Sequence, residues 1–402
     1  MRGAWDRRVE AELDAVRAAG RWRATRPIAT TGPVTGELDG RPVVTFASND
    51  YLGLTHHPAV VAAAHEALDR WGAGAGASRL VVGSRPVHAE LEAELADWKG
   101  TEAALTFPTG FAANVGVLTA LGGEDVTILS DELNHASIVD GARLARARVR
   151  VYRHADLDHL AKLLVEVTAE ARGPALVVTD SAFSMDGDVV DVEGLLDVCA
   201  AHDALVVLDE AHAVIGPDVD PAAAAARDVP LLRVGTLSKA LGALGGFVAG
   251  PRRYVDLLVN RARPFIFTTA PTPADTAAGL AALRVLRSPE GAALLGRLRR
   301  NVDRVRPGHP TPIVPVVVGE EAAAVAAAGA LLEQGLLVPA IRPPTVPPGT
   351  SRLRVALSAA HTDDQVDRLV AALAALPAAA PPGATDRPSP PAPSREGRGQ
   401  PS

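Results

Sequence analysis

The chain has 402 residues, 48% hydrophobic and 22% charged, with a formal net charge of −7. This length suits a large α/β domain with a smaller companion, and no uncharged apolar run is long enough to span a bilayer. The net negative charge argues against nucleic acid as a partner, and the single cysteine, Cys199, excludes an internal disulfide. The charged residues within 1–9 argue against a secretory signal, which needs an apolar segment. We therefore expect a cytoplasmic small-molecule enzyme with no membrane or nucleic-acid partner.

The apolar spacing predicts an α/β protein with a mostly parallel sheet. Residues 5–26 are typical of an amphipathic, arginine-rich arm that ends at Pro27. From about residue 43 to 250, β-branched runs alternate with alanine- and leucine-rich stretches, and runs that are apolar throughout are typical of strands covered on both faces. The predicted strands are 126–129, 149–152, 175–179, 204–208, 231–234 and 246–249, and the predicted helices include 86–98, 111–121, 157–171 and 192–202.

After the proline-containing segment 264–273 the pattern changes to that of a smaller α+β domain. Helices are predicted over about 274–304, 320–334 and 363–375, and strands over 313–318, 336–341 and 353–357. Beyond Pro377 the composition is too poor in apolar residues to order itself. The predicted organisation is an N-terminal arm at 1–45, a large domain at 46–262, a small C-terminal domain at 263–377 and a disordered tail at 378–402.

Lysine chemistry has three candidates, because the only lysines are Lys99, Lys162 and Lys239. Lys239 follows the predicted strand 231–234 and is flanked by Thr236 and Ser238. A lysine in this place can form a Schiff base with a carbonyl cofactor while the two hydroxyls bind the cofactor's phosphate. The alternative is a surface lysine in a loop, and the segment around Lys239, taken by itself, favours that alternative.

Asp209 and His212 strengthen the catalytic interpretation. They follow the predicted strand 204–208, and ligands of open α/β sheets bind beyond the carboxyl ends of such strands. A carboxylate there can pair with a protonated pyridine nitrogen. One alternative is that these residues only begin a solvated helix. The other is the acidic strand end of an ATPase, which also needs a Gly-Lys-Ser/Thr phosphate loop; because none of the lysines follows a glycine, this alternative is excluded.

Two further segments fit the same site. Residues 108–114 form a glycine turn that opens a helix, where backbone N–H groups can bind a phosphate. His135 follows the predicted strand 126–129 and is either a loop histidine or an imidazole stacked on a flat ring; its strand-end position favours stacking. The histidines lack metal-ligand spacing, so no structural metal is expected, and no Gly-x-Ser-x-Gly motif occurs.

These segments resemble the α-oxoamine synthases, a family of fold type I pyridoxal-phosphate enzymes. The resemblance runs from about residue 13 to 373 and rests on residues 46–54, 134–137, 183–188, 209–212 and 236–239. Residues 340–350 are similar to the branch of this family that acts in biotin biosynthesis. The resemblance implies a large domain with a mostly parallel sheet, a smaller α+β domain, pyridoxal 5'-phosphate as cofactor, and a homodimer.

The resemblance also implies a role for each matching residue. Lys239 would hold the cofactor and move protons, Asp209 would pair with the pyridine nitrogen, and His135 would stack on the ring. The remaining expected positions are His212 and Ser184 at the phenolic oxygen, Gly110, Phe111, Thr236 and Ser238 at the phosphate with Thr269 from the other subunit, Arg354 and Asn49 at the amino-acid carboxylate, and Arg23, Arg342 and Thr345 around the acyl substrate.

The implied reaction is the decarboxylative condensation of L-alanine with a pimeloyl thioester, carried by coenzyme A (pimeloyl-CoA) or by an acyl carrier protein (pimeloyl-acyl carrier protein). Residues 213–217 depart from the family pattern, because they are shortened and lack the usual glycine and hydroxyl residues. Two alternatives stay open. One is the same chemistry with another pair, as in a glycine C-acyltransferase, and the other is a catalytically silent paralogue.

Overall fold

The computed structural model describes residues 3–376, apart from 171 and 218. The tail predicted at 378–402 lies outside the described residues. The helices are α1 Ala4–Ala18, α2 Pro58–Trp71, α3 Pro86–Lys99, α4 Gly110–Leu121, α5 Ala136–Leu144, α6 Leu157–Glu170, α7 Val192–Ala200, α8 Pro221–Ala226, α9 Arg252–Arg261, α10 Arg263–Ile266, α11 Pro273–Leu286, α12 Pro289–Val305, α13 Glu321–Glu333 and α14 Asp363–Ala374. Within the described ranges, none of these helices has the length and apolar character needed to traverse a bilayer.

The strands build one large sheet and two small ones. They are β1 Ile28–Thr30, β2 Thr35–Leu38, β3 Arg41–Thr45, β4 Ala103–Phe107, β5 Thr127–Asp131, β6 Arg148–Tyr152, β7 Ala175–Asp180, β8 Leu205–Asp209, β9 Leu231–Thr236, β10 Gly246–Gly250, β11 Ile313–Gly319, β12 Leu336–Leu337, β13 Ala340–Ile341 and β14 Ser351–Ala356. The small sheets have the orders β1-β2-β3-β12 and β11-β14-β13.

The seven-stranded sheet has the order β4-β10-β9-β8-β7-β5-β6. Only β10 runs in the direction opposite to the other six strands, so the predicted mostly parallel sheet is confirmed. Two apolar clusters cover its faces, one built with α4, α5 and α9 and the other with α6 and α7. Parallel strands end on the same edge, which brings Asp131, Asp180, Asp209 and Thr236 to one side of the sheet.

A third apolar cluster joins the chain's two ends. Phe46, Tyr51 and Leu54 pack there with Leu353 and Val355 of β14. Strand β12 also pairs in parallel with β3, so residues expected in the N-terminal arm share a sheet with a C-terminal strand. This packing sets the segment 46–54 against β14, beside the carboxyl edge of the large sheet.

The arm expected over 5–26 is helical over Ala4–Ala18, and the helix ends there because Gly20 adopts a left-handed conformation with φ +64°. Two element predictions were wrong in extent. The helix expected over 274–304 is two helices: Pro289 starts the second, and the Ser288 hydroxyl accepts hydrogen bonds from its first turn. The strand expected over 336–341 is two short strands in different sheets.

Candidate active site

Lys239 lies in a tight turn just after β9. The amide of Leu237 and the hydroxyl of Thr236 both donate to the carbonyl of Gly245, which closes the turn. Gly242 has φ +60°, and a Cβ there would lie 2.6 Å from the nitrogen of Thr55, so both conformation and space require glycine. The turn holds Lys239 Nζ inside the protein, where burial lowers its pKa against the opposing charge of Asp209.

The other two lysines are engaged or remote. Lys99 Nζ lies 2.5 Å from Glu210, whose second oxygen lies 2.6 Å from Arg233 Nε, and all three side chains are buried. Burial by itself would raise the pKa of Glu210, but these two cations outweigh burial and keep the pKa below its usual value. Lys162 is exposed on α6. Of the three candidates, Lys239 is the lysine at the carboxyl edge of the sheet.

Asp209 is held at the end of β8 by two N–H donors. Asn114 Nδ2 donates to one carboxylate oxygen at 2.6 Å, and the amide of Ala211 donates to the other at 2.8 Å. The same Asn114 amide lies 2.9 Å from Ser137 Oγ, which lies 2.7 Å from His135 Nδ1. A short network therefore fixes both the carboxylate and the imidazole that were predicted to meet a ring.

Asp180 lies next to Asp209 on β7 and accepts a hydrogen bond from the His135 amide at 2.7 Å. Burial and the charge of Asp209 raise its pKa well above the ordinary value. Burial also lowers the pKa of His135, against the opposing effect of Asp209. Burial therefore favours the uncharged forms of both the Asp180 carboxyl and the His135 imidazole.

His212 connects Lys239 to the segment 46–54. Its Nε2 lies 2.8 Å from Lys239 Nζ, and its Nδ1 lies 2.6 Å from the hydroxyl of Tyr51. Tyr51 donates in turn to Asn49 Oδ1 at 3.0 Å. Burial, together with the cations of Lys239 and Arg354, lowers the pKa of His212 well below its usual value, so the imidazole is neutral.

Arg354 lies on β14, where it is 6% exposed. Its Nη2 donates to Asn49 Oδ1 at 3.2 Å, and its Nε donates to the backbone carbonyl of Ser184 at 2.5 Å. These two contacts hold a guanidinium beside the lysine site. Such a fork is suited to binding a carboxylate through two hydrogen bonds.

The start of α4 provides a second anion site. The Thr109 hydroxyl caps the helix, while the amides of Gly110 and Phe111 have no hydrogen-bond partner among the described residues. A Cβ at Gly110 would lie 3.3 Å from the Cβ of Thr236. The hydroxyls of Thr236 and Ser238, 2.7 Å apart, stand beside these amides.

Other predicted site residues are not joined to this network by hydrogen bonds in the described part of the chain. Arg23 and Thr345 are exposed in coil, and Thr269 is exposed before α11. Arg342 donates to the carbonyl of Gly20 at 3.1 Å, which ties the end of the arm to the segment 340–350. Their roles remain predictions.

Sequence reasoning missed three residues of the site. Tyr51 and Asn114 lie inside motifs that the sequence had already singled out, at 46–54 and 108–114, but their contacts join residues 161 and 95 positions apart. Asp180 directly follows the predicted strand 175–179 and was overlooked; in the structure it ends β7 and is the register partner of Asp209. The same signal that identified Asp209, an acidic residue at a buried strand end, would have found it.

The chain is similar to known proteins over most of its length. The family model for aminotransferase class I and II matches residues 41–373. The chain is 50% identical to the 8-amino-7-oxononanoate synthase of Methylobacterium nodulans, over 92% of this chain and 97% of that protein. It is 51% identical to the protein of the same name from Anaeromyxobacter dehalogenans, over 93% and 96% respectively.

Solved structures show the same fold. Serine palmitoyltransferase from S. paucimobilis, solved with a bound PLP-myriocin aldimine, aligns with a TM-score of 0.84 and 29% identity over 92% of this chain and 98% of that one. The 8-amino-7-oxononanoate synthase of Francisella tularensis aligns with a TM-score of 0.67 and 24% identity, over 82% of this chain and 96% of that one.

The predicted fold type I architecture and the predicted relationship are both confirmed. The family match covers most of the chain, and the relatives match it over nearly their whole lengths. The chain therefore belongs to the aminotransferase class I and II family, where its relatives at about 50% identity are 8-amino-7-oxononanoate synthases.

Proposed function

We propose that this chain is an 8-amino-7-oxononanoate synthase, which condenses L-alanine with a pimeloyl thioester and releases the thiol of the acyl carrier and carbon dioxide. The proposal rests chiefly on about 50% identity, over more than nine-tenths of the chain, to proteins of that name. The arrangement of Lys239, Asp209 and Arg354 supports it, because it combines an amine, a ring-nitrogen partner and a carboxylate receiver. We also infer a cytoplasmic enzyme, since a reducing compartment suits the single buried cysteine.

The site fits pyridoxal 5'-phosphate. The unpaired amides of Gly110 and Phe111, with the hydroxyls of Thr236 and Ser238, form a donor set suited to a phosphate. Asp209 would pair with the pyridine nitrogen, His135 would lie against the ring, and His212 and Ser184 would stand at its phenolic oxygen. When bound, the cofactor supplies an electron sink for the negative charge that forms at the amino-acid α-carbon.

Lys239 is the residue that moves the proton. Because burial lowers its pKa, a larger share of its amine is neutral at physiological pH than for an exposed lysine. The neutral amine can attack a carbonyl and accept the α-proton at Nζ, then return a proton after condensation. His212 Nε2, at 2.8 Å, orients that nitrogen.

Arg354 and Asn49 are proposed to receive the carboxylate of L-alanine. Arg354 is held by Ser184 and Asn49, so its fork is oriented before the substrate arrives. The acyl chain, delivered as pimeloyl-CoA or pimeloyl-acyl carrier protein, is proposed to pass Arg23, Arg342 and Thr345. This part rests on the resemblance and on the contact between Arg342 and Gly20.

We propose that the enzyme is a homodimer. Leu80, Val81 and Val82 lie in one short helical turn and are 54 to 72% exposed. Phe267, two positions before Thr269, is 70% exposed. Apolar residues exposed in such a row are typical of an interface. In such a dimer, Thr269 is proposed to serve the phosphate site of the other subunit, as the family resemblance implies.

The test is to load the full chain with pyridoxal phosphate, offer alanine, glycine and serine with pimeloyl, acetyl and palmitoyl thioesters in competition, and identify the amino-ketone by mass spectrometry. The proposal expects 8-amino-7-oxononanoate as the main product and none from Lys239→Ala, with Lys162→Ala as the matched control. A product from serine and a palmitoyl thioester would favour the activity of the structural relative at 29% identity. A product from glycine would indicate a glycine C-acyltransferase, and no product at all a silent paralogue.

A further inference from the structure

Tyr51 connects the two halves of the site. Its hydroxyl oxygen lies 2.6 Å from His212 Nδ1 and 3.0 Å from Asn49 Oδ1, and the side chain is fully buried. Asn49 contacts Arg354 on one side, and His212 contacts Lys239 on the other. The five side chains form one continuous series of hydrogen bonds from the guanidinium to the amine.

The donors available determine the direction of each bond. Arginine has donors only, so Asn49 must present its oxygen, not its amide nitrogen, to Arg354 at 3.2 Å. The same oxygen also faces Tyr51 and accepts its single hydroxyl proton. The phenol oxygen then has only lone pairs left for His212, so Nδ1 of the imidazole must carry a proton.

The protonation states agree with this direction. Burial raises the pKa of Tyr51 to about 12, so the phenol keeps its proton at physiological pH. Burial and nearby cations lower the pKa of His212, so its imidazole carries one proton rather than two. With that proton on Nδ1, the lone pair of Nε2 faces Lys239 Nζ, which donates to it.

We propose that Tyr51 is a positioning residue that fixes the Nδ1–H tautomer of His212, and so couples the guanidinium of Arg354 to the amine of Lys239. The tautomer follows from the hydrogen bonds alone. Its meaning for the reaction rests on the proposed function, in which Arg354 receives the carboxylate and Lys239 moves the proton. Removal of the Tyr51 hydroxyl frees the imidazole to place its proton on Nε2, which takes the acceptor away from Lys239.

The first test is nitrogen-15 NMR of the full chain, free of cofactor and labelled at histidine. The His212 signals are assigned by their loss in His212→Gln. We expect a protonated Nδ1 in the unaltered chain and a shift of the proton toward Nε2 in Tyr51→Phe. Tyr152→Phe, which alters another buried phenol, is the matched control and should leave the His212 signals unchanged.

Asn49→Ala provides a second variant that keeps the Tyr51 ring in the core. Without the Asn49 oxygen, the Tyr51 proton is free to point at Nδ1, so this variant should also shift the proton of His212 to Nε2. A protonated Nε2 in the unaltered chain would overturn the proposal. So would an Nδ1–H tautomer that persists in both Tyr51→Phe and Asn49→Ala.

The second test measures the amine itself. With three lysines, side-chain lysine spectra give few signals, and Lys239 is assigned by its loss in Lys239→Ala. We expect the pKa of Lys239 to fall in Tyr51→Phe, because the charged amine loses its acceptor, and to stay unchanged in Tyr152→Phe. An unchanged pKa in Tyr51→Phe would contradict the coupling. Neither test needs turnover, so their failure is distinct from failure to form the expected product.

Discussion

Arg354→Lys tests how the amino acid is recognised. The guanidinium is 6% exposed, and Ser184 and Asn49 orient it through separate nitrogens. A lysine keeps the charge but cannot present a planar pair of donors, so the substrate carboxylate loses one charged hydrogen bond. Such a bond contributes about 1.5–3 kcal/mol, and 1.4 kcal/mol is about a factor of ten, so the KM for L-alanine should rise about 10- to 150-fold.

The assay is steady-state kinetics with alanine varied at saturating pimeloyl thioester, on chain loaded with pyridoxal phosphate. Arg352→Lys is the matched control, because Arg352 lies two positions away on β14, is equally buried and pairs with Asp186. It should leave the KM for alanine close to that of the unaltered enzyme. An unchanged KM in Arg354→Lys, or an equal rise in both variants, would refute the role of Arg354.

Two further predictions concern stability. Glu210→Gln removes the charge of the buried carboxylate that pairs with Lys99 and Arg233, so the free energy of unfolding in urea should fall by about 3–5 kcal/mol. Glu333→Gln, in an exposed pair with Arg41, should cost at most about 1 kcal/mol, and equal losses in the two variants would contradict this. His154 bridges Asp131 and Asp188. Burial by itself would lower the pKa of His154, but the hydrogen bonds to the two carboxylates outweigh burial and raise the pKa to about 10. Because the folded pKa lies above the unfolded value, its contribution to stability is complete below about pH 6.5 and is lost as the pH rises towards 10. The destabilisation caused by His154→Gln, measured by urea unfolding, should therefore shrink between pH 6 and pH 10, and a difference that stays constant would contradict this.

The sequence predicted the large sheet well because its central strands are buried on both faces. Residues 204–208 are apolar throughout, 175–179 are apolar apart from Thr179 and 231–234 apart from Arg233, and all three runs lie in the core as expected. Strand β4 was missed, because the segment Ala-Ala-Leu-Thr-Phe has alanine at two positions and no β-branched residue except Thr106. The break at Ser288 and Pro289 was visible as a capping signal but was overridden by the apolar spacing on either side.

The site also contains residues that the sequence could predict and contacts that it could not. Lys239, Asp209 and His135 were predicted as site residues because each follows a buried strand, a pattern that one segment reveals by itself. The contacts of Tyr51 with His212 and of Arg354 with Asn49 join residues 161 and 305 positions apart, and no local pattern reports them. The buried pair of Lys99 and Glu210 also joins distant positions, 111 apart, so the sequence did not show that the side chain of Lys99 pairs with a carboxylate.

The most direct measurement of the central claim is the position of the cofactor's covalent bond. The full chain is loaded with pyridoxal phosphate, reduced with borohydride to make the attachment permanent, digested and examined by peptide mass spectrometry. We expect a phosphopyridoxyl group on Lys239, on neither Lys99 nor Lys162, and no retained group in Lys239→Ala. A label on Lys99 or Lys162, or a label that persists in Lys239→Ala, would contradict it.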